Sequence, residues 1–189
     1  MTIKILAISG ALRAASTNTA LVRAAQELAP EGVEVEIYDG IGSLPFFDQD
    51  LEAEPPASVV EFREKIAAAD GVFLATPEYN YSTSGVLKNA IDWASRPYGQ
   101  AVLTHKPTAV AGASGSDFGT VRAQNHIRAI FHQFEGDLVL KPEVHIGRNY
   151  ERFDSDGRLV DETSRNLLAG LLAALALKID EKQKAAANA

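Results

Sequence analysis

Cysteine is absent from all 189 residues, which excludes disulfides, thiolate zinc sites and a cysteine nucleophile. No apolar stretch approaches the roughly 20 residues that a membrane span requires. The chain enters a strand pattern at once, without the basic head and long apolar run of a signal peptide. A soluble, cytoplasmic protein is therefore expected. Basic clusters are missing too: 25 acidic against 18 basic residues leave a net charge of −7. With a pI near 5.1, that balance argues against nucleic acid as a partner. Acid is itself missing at the start. No Asp or Glu occurs before Glu27, whereas Lys4, Arg13 and Arg23 all precede it.

That acid-free segment carries the most informative pattern in the chain. Ile3 to Ile8 is a short apolar run, the signature of a strand buried on both faces. It breaks at Ser9-Gly10, and helical spacing resumes after Asn18 with Leu21, Val22, Ala25 and Leu28. A strand, a small-residue turn and a helix form an anion cradle, because the free N–H groups of the first helical turn and the helix dipole both face the loop. Ser9, Ser16, Thr17, Asn18 and Thr19 can donate hydrogen bonds, and Arg13 can grip phosphate oxygens in a bidentate way. The plainer reading is that Ser16 or Thr17 only caps the helix and Arg13 is solvated. Neither G-x-x-x-x-G-K-[ST] nor G-x-G-x-x-G occurs here, since the turn holds only Gly10. A single terminal phosphate fits this turn better than a dinucleotide pyrophosphate.

Further along, Val33 to Tyr38 alternates apolar and acidic residues, as a strand near a sheet edge does. Leu44 to Asp48 is more apolar than a solvated loop, which suits either a plug over the core or the rim of a pocket or subunit contact. Ser58-x-x-Glu61 reads as a capping box opening a helix that buries Val59, Phe62 and Ile66. Val72 to Ala75 is the third strand, followed by a loop Thr76 to Ser82 and a helix from about Ser84 to Ser95. Thr108 to Ala111 is the fourth, followed by Gly112 to Thr120 and a helix over Val121 to Phe134. Leu138 to Leu140 is the last strand. Asp161 caps a Leu/Ala-rich helix ending near Lys182, with Ala185 to Ala189 fraying.

Helices thus alternate with strands throughout, which predicts one α/β domain over residues 1–189. Its core is a doubly wound, five-stranded parallel sheet of order 2-1-3-4-5 with helices on both faces. That order binds ligands at the carboxyl ends of strands 1 and 3. The first loop would supply phosphate donors. The third crossing would supply the flat faces of Tyr79 and Tyr81, the amide of Asn80 and backbone groups held by Pro77. The fourth would supply glycines that allow close backbone approach. A phosphate at one end and a planar heterocycle at the other suits a mononucleotide, above all FMN.

These same blocks resemble a known family. Ser9-Gly10-Ala11-Leu12-Arg13-x-x-Ser16-x-Asn18, the run from Pro77-Glu78-Tyr79-Asn80-Tyr81-Ser82 through Leu87-Lys88-Asn89-Ala90-Ile91-Asp92-Trp93, and Gly112-Ala113-Ser114-Gly115 with Gly119-Thr120-x-Arg122-Ala123-Gln124 are similar to the NADPH-dependent FMN reductases. This flavodoxin-like group includes quinone, chromate and azo reductases, and the resemblance extends from Ile3 to about Val144. It implies that Ser9, Arg13, Ser16, Thr17 and Asn18 hold the FMN phosphate. Pro77, Glu78, Tyr79 and Asn80 would line the isoalloxazine with Ser114 and Gly115. It further implies NADPH or NADH as donor, a small-molecule electron acceptor, and a homodimer or homotetramer with the flavin near a subunit interface. Two departures stand out. Ala11 replaces a serine common in the phosphate loop, and Gly115-Ser116-Asp117-Phe118-Gly119 replaces a G-R-G-G-like run.

The implied reaction passes a hydride from the nicotinamide to the flavin and two electrons on to an acceptor. The cofactor carries that chemistry, which accords with a sequence showing no evident catalytic acid, base or nucleophile. A flavodoxin-type carrier without turnover is the alternative on the same fold. A hydrolase using Ser114 is a third, because Gly112 to Ser116 approaches G-x-S-x-G but ends in serine. His105, His126, His132 and His145 lack metal-ligand spacing, and Asp154 to Gly157 reads as a turn rather than a calcium loop.

Overall fold

The computed structural model describes residues 2–188; Met1 and Ala189, the two ends of the expected 1–189 unit, lie outside them. In chain order the strands are β1 (Ile3–Ser9), β2 (Val33–Tyr38), β3 (Gly71–Ala75), β4 (Pro107–Ala113), β5 (Asp137–Leu138) and β6 (Val144–Ile146). The helices are α1 (Thr17–Glu27), α2 (Ala57–Ala68), α3 (Gly85–Ala94), α4 (Val121–Gln133) and α5 (Glu162–Ala187). All strand pairings are parallel and run β2-β1-β3-β4-β5, with β6 also on β4.

Side-chain alternation along a strand divides the core into two layers. Ile5 and Ala7 of β1 and Phe73 and Ala75 of β3 pack with Leu21 and Ala25 of α1 and with Leu168, Leu172 and Leu175 of α5. Leu6, Ile8, Val72 and Leu74 face the other way, onto Phe62 and Ile66 of α2, Leu87 and Ile91 of α3, and Ile127 and Phe131 of α4. Helices therefore cover both faces, as a continuous apolar run in a parallel strand demands. Register then sets the site. Ser9 lies opposite Ala75, and Ala75 opposite Ala111, so the first, third and fourth crossings leave the sheet along a single edge.

Three local expectations are corrected. The single last strand, Leu138 to Leu140, is two short strands on the same side of β4: Asp137–Leu138 beside Pro107–Thr108, and Val144–Ile146 beside Ala111–Ala113. Pro142 stands between them without an N–H to offer the ladder. The Ser58–Glu61 capping box does not form. Pro56 takes the cap position at φ −53°, ψ 147°, and the Ser58 hydroxyl donates to the Ser43 carbonyl at 3.4 Å. The final helix runs on to Ala187, past Lys182. Its start is as expected, with the Asp161 carboxylate accepting from the Ser164 N–H at 2.8 Å.

The apolar Leu44 to Asp48 stretch divides its residues between both readings. Leu44 is buried, and Phe47 sets its ring edge-on to Trp93 at 4.9 Å. The Pro45 carbonyl accepts from Asn89 Nδ2 and Trp93 Nε1, each at 2.9 Å. Phe46, 88% exposed, points outward. None of the helices among the described residues is long and apolar enough to cross a membrane.

Candidate functional site

The turn between β1 and α1 is held from several sides. Gly10 donates to the Ala75 carbonyl at 2.8 Å, and its own carbonyl accepts from Ser84 Oγ at 2.6 Å. Ser84 is also the N-cap of α3, so the first crossing is tied to the third at the base of a helix. Ser16 caps α1, its hydroxyl accepting from the Asn18 N–H at 3.2 Å. No acid occupies the first turn of α1, leaving its positive end uncompensated. Among the described residues, no partner accepts from the N–H groups of Ala14, Ala15 or Thr17, and the exposed Arg13 has neither an ion pair nor a hydrogen bond.

Asn18 differs from expectation. It is 3% exposed, and both ends of its amide are spent on one residue of β4. Nδ2 donates to the Ala113 carbonyl and Oδ1 accepts from the Ala113 N–H, both at 2.9 Å. With its own N–H given to Ser16, Asn18 locks the turn to the sheet, and one Nδ2 hydrogen is all that it keeps for a ligand. Ser9 is buried as well, its hydroxyl 3.0 Å from that of Thr19 and accepting from the Ala11 N–H at 3.3 Å.

The third crossing forms a miniature hairpin. Tyr79 and Ser82 exchange backbone hydrogen bonds at 3.0 Å, and the two residues between them, Asn80 and Tyr81, have φ of 50° and 65°. Positive φ at both central positions is a type I′ turn. Asparagine tolerates it and tyrosine seldom adopts it. The turn leaves Tyr79 52% and Tyr81 68% exposed. The Arg122 guanidinium lies over the Tyr81 ring, 4.2 Å from its centroid, and 5.6 Å from that of Phe118. Glu78 turns the opposite way, its side chain 8% exposed. Its carboxylate accepts from the backbone of Arg122 at 3.0 Å and Ala123 at 3.2 Å, and from Arg122 Nη1 at 3.1 Å. Thr120 gives α4 no side-chain cap, so Glu78 caps that helix across the gap between loops. Its carboxylate is thereby committed to α4.

In the fourth crossing the Ser114 hydroxyl donates to the Gly119 carbonyl at 2.7 Å and meets Ser116 Oγ at 2.8 Å. Gly115 is exposed, and a Cβ there would find only Asn149 Oδ1, at 3.8 Å. The loop rests on His145, whose backbone a Cβ on Gly119 would strike at 2.8 Å. Burial pushes the His145 imidazole below the ordinary histidine range, outweighing the Glu143 carboxylate 3.7 Å away. Among the described residues no histidine hydrogen-bonds to Ser114, and the serine bonded to His126 is Ser82, at 2.9 Å. That removes the basis for a hydrolase nucleophile at Ser114.

The model of the NADPH-dependent FMN reductases matches residues 3–151, all three loops included. The chain belongs to this family. An NAD(P)H-dependent FMN reductase of Pseudomonas aeruginosa is 48% identical over 177 residues, covering 93% of this chain and 94% of that one. A 2-hydroxy-1,4-benzoquinone reductase of a Burkholderia species is 42% identical, covering 89% and 91%. Among solved structures, the flavoenzyme NAD(P)H:(acceptor) oxidoreductase FerB of Paracoccus denitrificans superposes with a TM-score of 0.86 at 35% identity, covering 95% and 98%.

As an FMN reductase, the chain has a donor set that fits the cofactor. The uncommitted N–H groups, the unpaired Arg13 and the absence of acid at the α1 terminus suit a phosphate dianion. The exposed tyrosine faces and the open edge at Gly115 suit a flat ring. Two residues outside the expected set contact its members. Arg122 belongs to the quoted block Gly119-Thr120-x-Arg122-Ala123-Gln124, so its signal was present without a role. Asn149 donates through Nδ2 to Thr17 Oγ1 at 2.8 Å across 132 residues of sequence. It lies beyond every block quoted, and no local pattern marks it.

Proposed function

We propose that this reductase binds FMN across the three loops as a single functional unit, accepts hydride from NADPH or NADH, and reduces quinones or similar small acceptors. Arg13, Ser16 and Thr17 hold the phosphate. Pro77, Tyr79, Asn80, Ser114 and Gly115 flank the isoalloxazine. Ser9, Asn18 and Glu78 act one step back, by shaping the loops. The observation that carries this reading is the direct bonding of the loops to one another, Gly10 to Ser84, Asn18 to Ala113 and Glu78 to Arg122. It presents the partnerless Arg13 and the exposed tyrosines on one rim.

FMN, when bound, supplies hydride acceptance and two-electron donation. The chain's part is to bind, orient and polarise. The α1 terminus and Arg13 would neutralise phosphate charge, and backbone groups of the third and fourth loops, held rigid by the loop bonds, would present fixed dipoles to the ring. The quinone acceptor is supported by the relatives named above. The exposed Leu12 and Phe46 support a homodimer or homotetramer, and the acidic, cysteine-free composition supports a cytoplasmic location.

The test is spectroscopic. The purified protein, supplied with FMN, is expected to show flavin absorbance that bleaches anaerobically with NADPH or NADH and returns on adding a 1,4-benzoquinone. Flavin that neither nucleotide bleaches would return the protein to the class of electron carriers, and reduced flavin that quinone does not reoxidise would overturn the quinone acceptor. Arg13→Ala is expected to weaken FMN binding by about 10- to 100-fold, the worth of a charge-assisted hydrogen bond. Fluorescence titration of the flavin-free protein reads this directly, and unchanged affinity would move the phosphate elsewhere.

A further inference from the structure

We propose that Asn149 is a positioning residue through which the chain distinguishes FMN from riboflavin. The inference rests on the phosphate assignment above and adds a residue outside the β1–α1 turn. Asn149 follows β6 in a strap that is bonded to the fourth loop along its length. Ser114 donates to the Ile146 carbonyl at 2.9 Å, Arg148 to the Ser116 carbonyl at 2.9 Å, and Asn149 to the Ser114 carbonyl at 3.1 Å. A Cβ on Gly147 would lie 2.4 Å from the Asp117 carbonyl oxygen, so only glycine lets the strap approach this closely. Beyond it, the Asn149 carbonyl accepts from Arg152 at 3.0 Å and from Phe153 at 3.1 Å, and Phe153 is buried. The backbone of Asn149 is thereby held on both sides.

Its side chain does something separate. Asn149 Nδ2 donates to Thr17 Oγ1 at 2.8 Å, and Thr17 is the first residue of α1. A hydroxyl has one proton and two lone pairs. Once Oγ1 accepts from an amide, its own proton must be donated to something else. Among the described residues nothing accepts it in a hydrogen bond, and the same turn offers two uncommitted donors, the Thr17 N–H and Arg13. An anion is the partner that this arrangement lacks. The amide also polarises the hydroxyl in the donating direction. The side-chain Nδ2 of Asn149 thus acts on the phosphate end, while its Oδ1, beside Gly115, and its backbone belong to the ring end. Replacing Nδ2 separates the two.

Asn149→Asp keeps the shape and replaces the donor by a carboxylate that takes the Thr17 proton for itself. The expected result is a rise of about 100-fold in the Kd for FMN, with the Kd for riboflavin, which has no phosphate, changed by less than about threefold. Both are read from flavin fluorescence on titrating the flavin-free protein, without turnover. Thr17→Val breaks the same relay from the other end and should reduce FMN affinity about tenfold, again sparing riboflavin; it serves also if the Asn149→Asp variant fails to fold. Equal losses for the two flavins would mean a general loosening of the loops and would overturn the proposal, as would FMN affinity untouched in both variants. Failure of the underlying phosphate assignment looks different: the unaltered protein would then bind FMN no better than riboflavin.

Discussion

Replacing Gly112 with alanine should cost the fold about 3 kcal/mol or more and lower the melting temperature by about 6–12 °C. Gly112 is the next-to-last residue of β4, where a Cβ would fall 2.2 Å from the Thr76 carbonyl oxygen and 2.2 Å from Thr120 Oγ1. Neither obstacle can swing aside. Thr76 continues β3 into the third crossing, its N–H bonded to the Ala111 carbonyl at 2.9 Å. Thr120 is buried at the start of α4, where Gln124 Nε2 donates to its hydroxyl at 3.0 Å. A single methyl group would therefore push the third loop away from the fourth and lift α4 from the Glu78 cap. Gly115→Ala is the control, because its added Cβ meets only Asn149 Oδ1 at 3.8 Å and should change stability by less than about 0.5 kcal/mol. Thermal unfolding of the two variants side by side makes the comparison. Equal melting temperatures would show that the rim yields more easily than its packing implies.

The second large effect is expected at Asn18. Asn18→Leu preserves the branched shape but leaves the N–H and carbonyl of Ala113 without partners in a buried place. Each unsatisfied group costs about 1–3 kcal/mol, so a loss of about 2–4 kcal/mol is expected. It should appear in the flavin-free protein as a lower denaturant midpoint with an unchanged slope. The alternative outcome is informative: full stability without flavin, combined with poor FMN binding, would place the amide against the ligand and not against β4. The two variants probe one principle from opposite sides. Gly112 keeps two loops close by having no side chain, and Asn18 keeps two loops close by having one that fits both polar groups of a single peptide position.

Most of the architecture was legible in the amino-acid sequence because its causes are local. Apolar runs such as Ile3 to Ile8 and Val72 to Ala75 produce parallel strands buried on both faces. Ser16, Ser84 and Asp161 cap the helices that follow them through their own neighbours' N–H groups. The ligand-bearing edge follows from strand order alone. Two of the three local corrections trace to a proline: Pro56 displaced the Ser58 cap, and Pro142 divided the last strand.

The sequence by itself thus determined the strand–helix succession, the three loops and the residue types gathered at their tips. Only the tertiary structure decided which of those polar groups are free. Asn18 and Glu78 have the chemistry of ligand donors and acceptors, yet one is consumed by Ala113, 95 residues away, and the other by Arg122 and Ala123, 44 and 45 residues away. Asn149 reaches Thr17 by the same route, through a bond spanning 132 residues. Periodicity and capping record what a residue does with its neighbours along the chain. A polar side chain is satisfied by whichever group the packed sheet brings within about 3 Å, and that is a property of the fold.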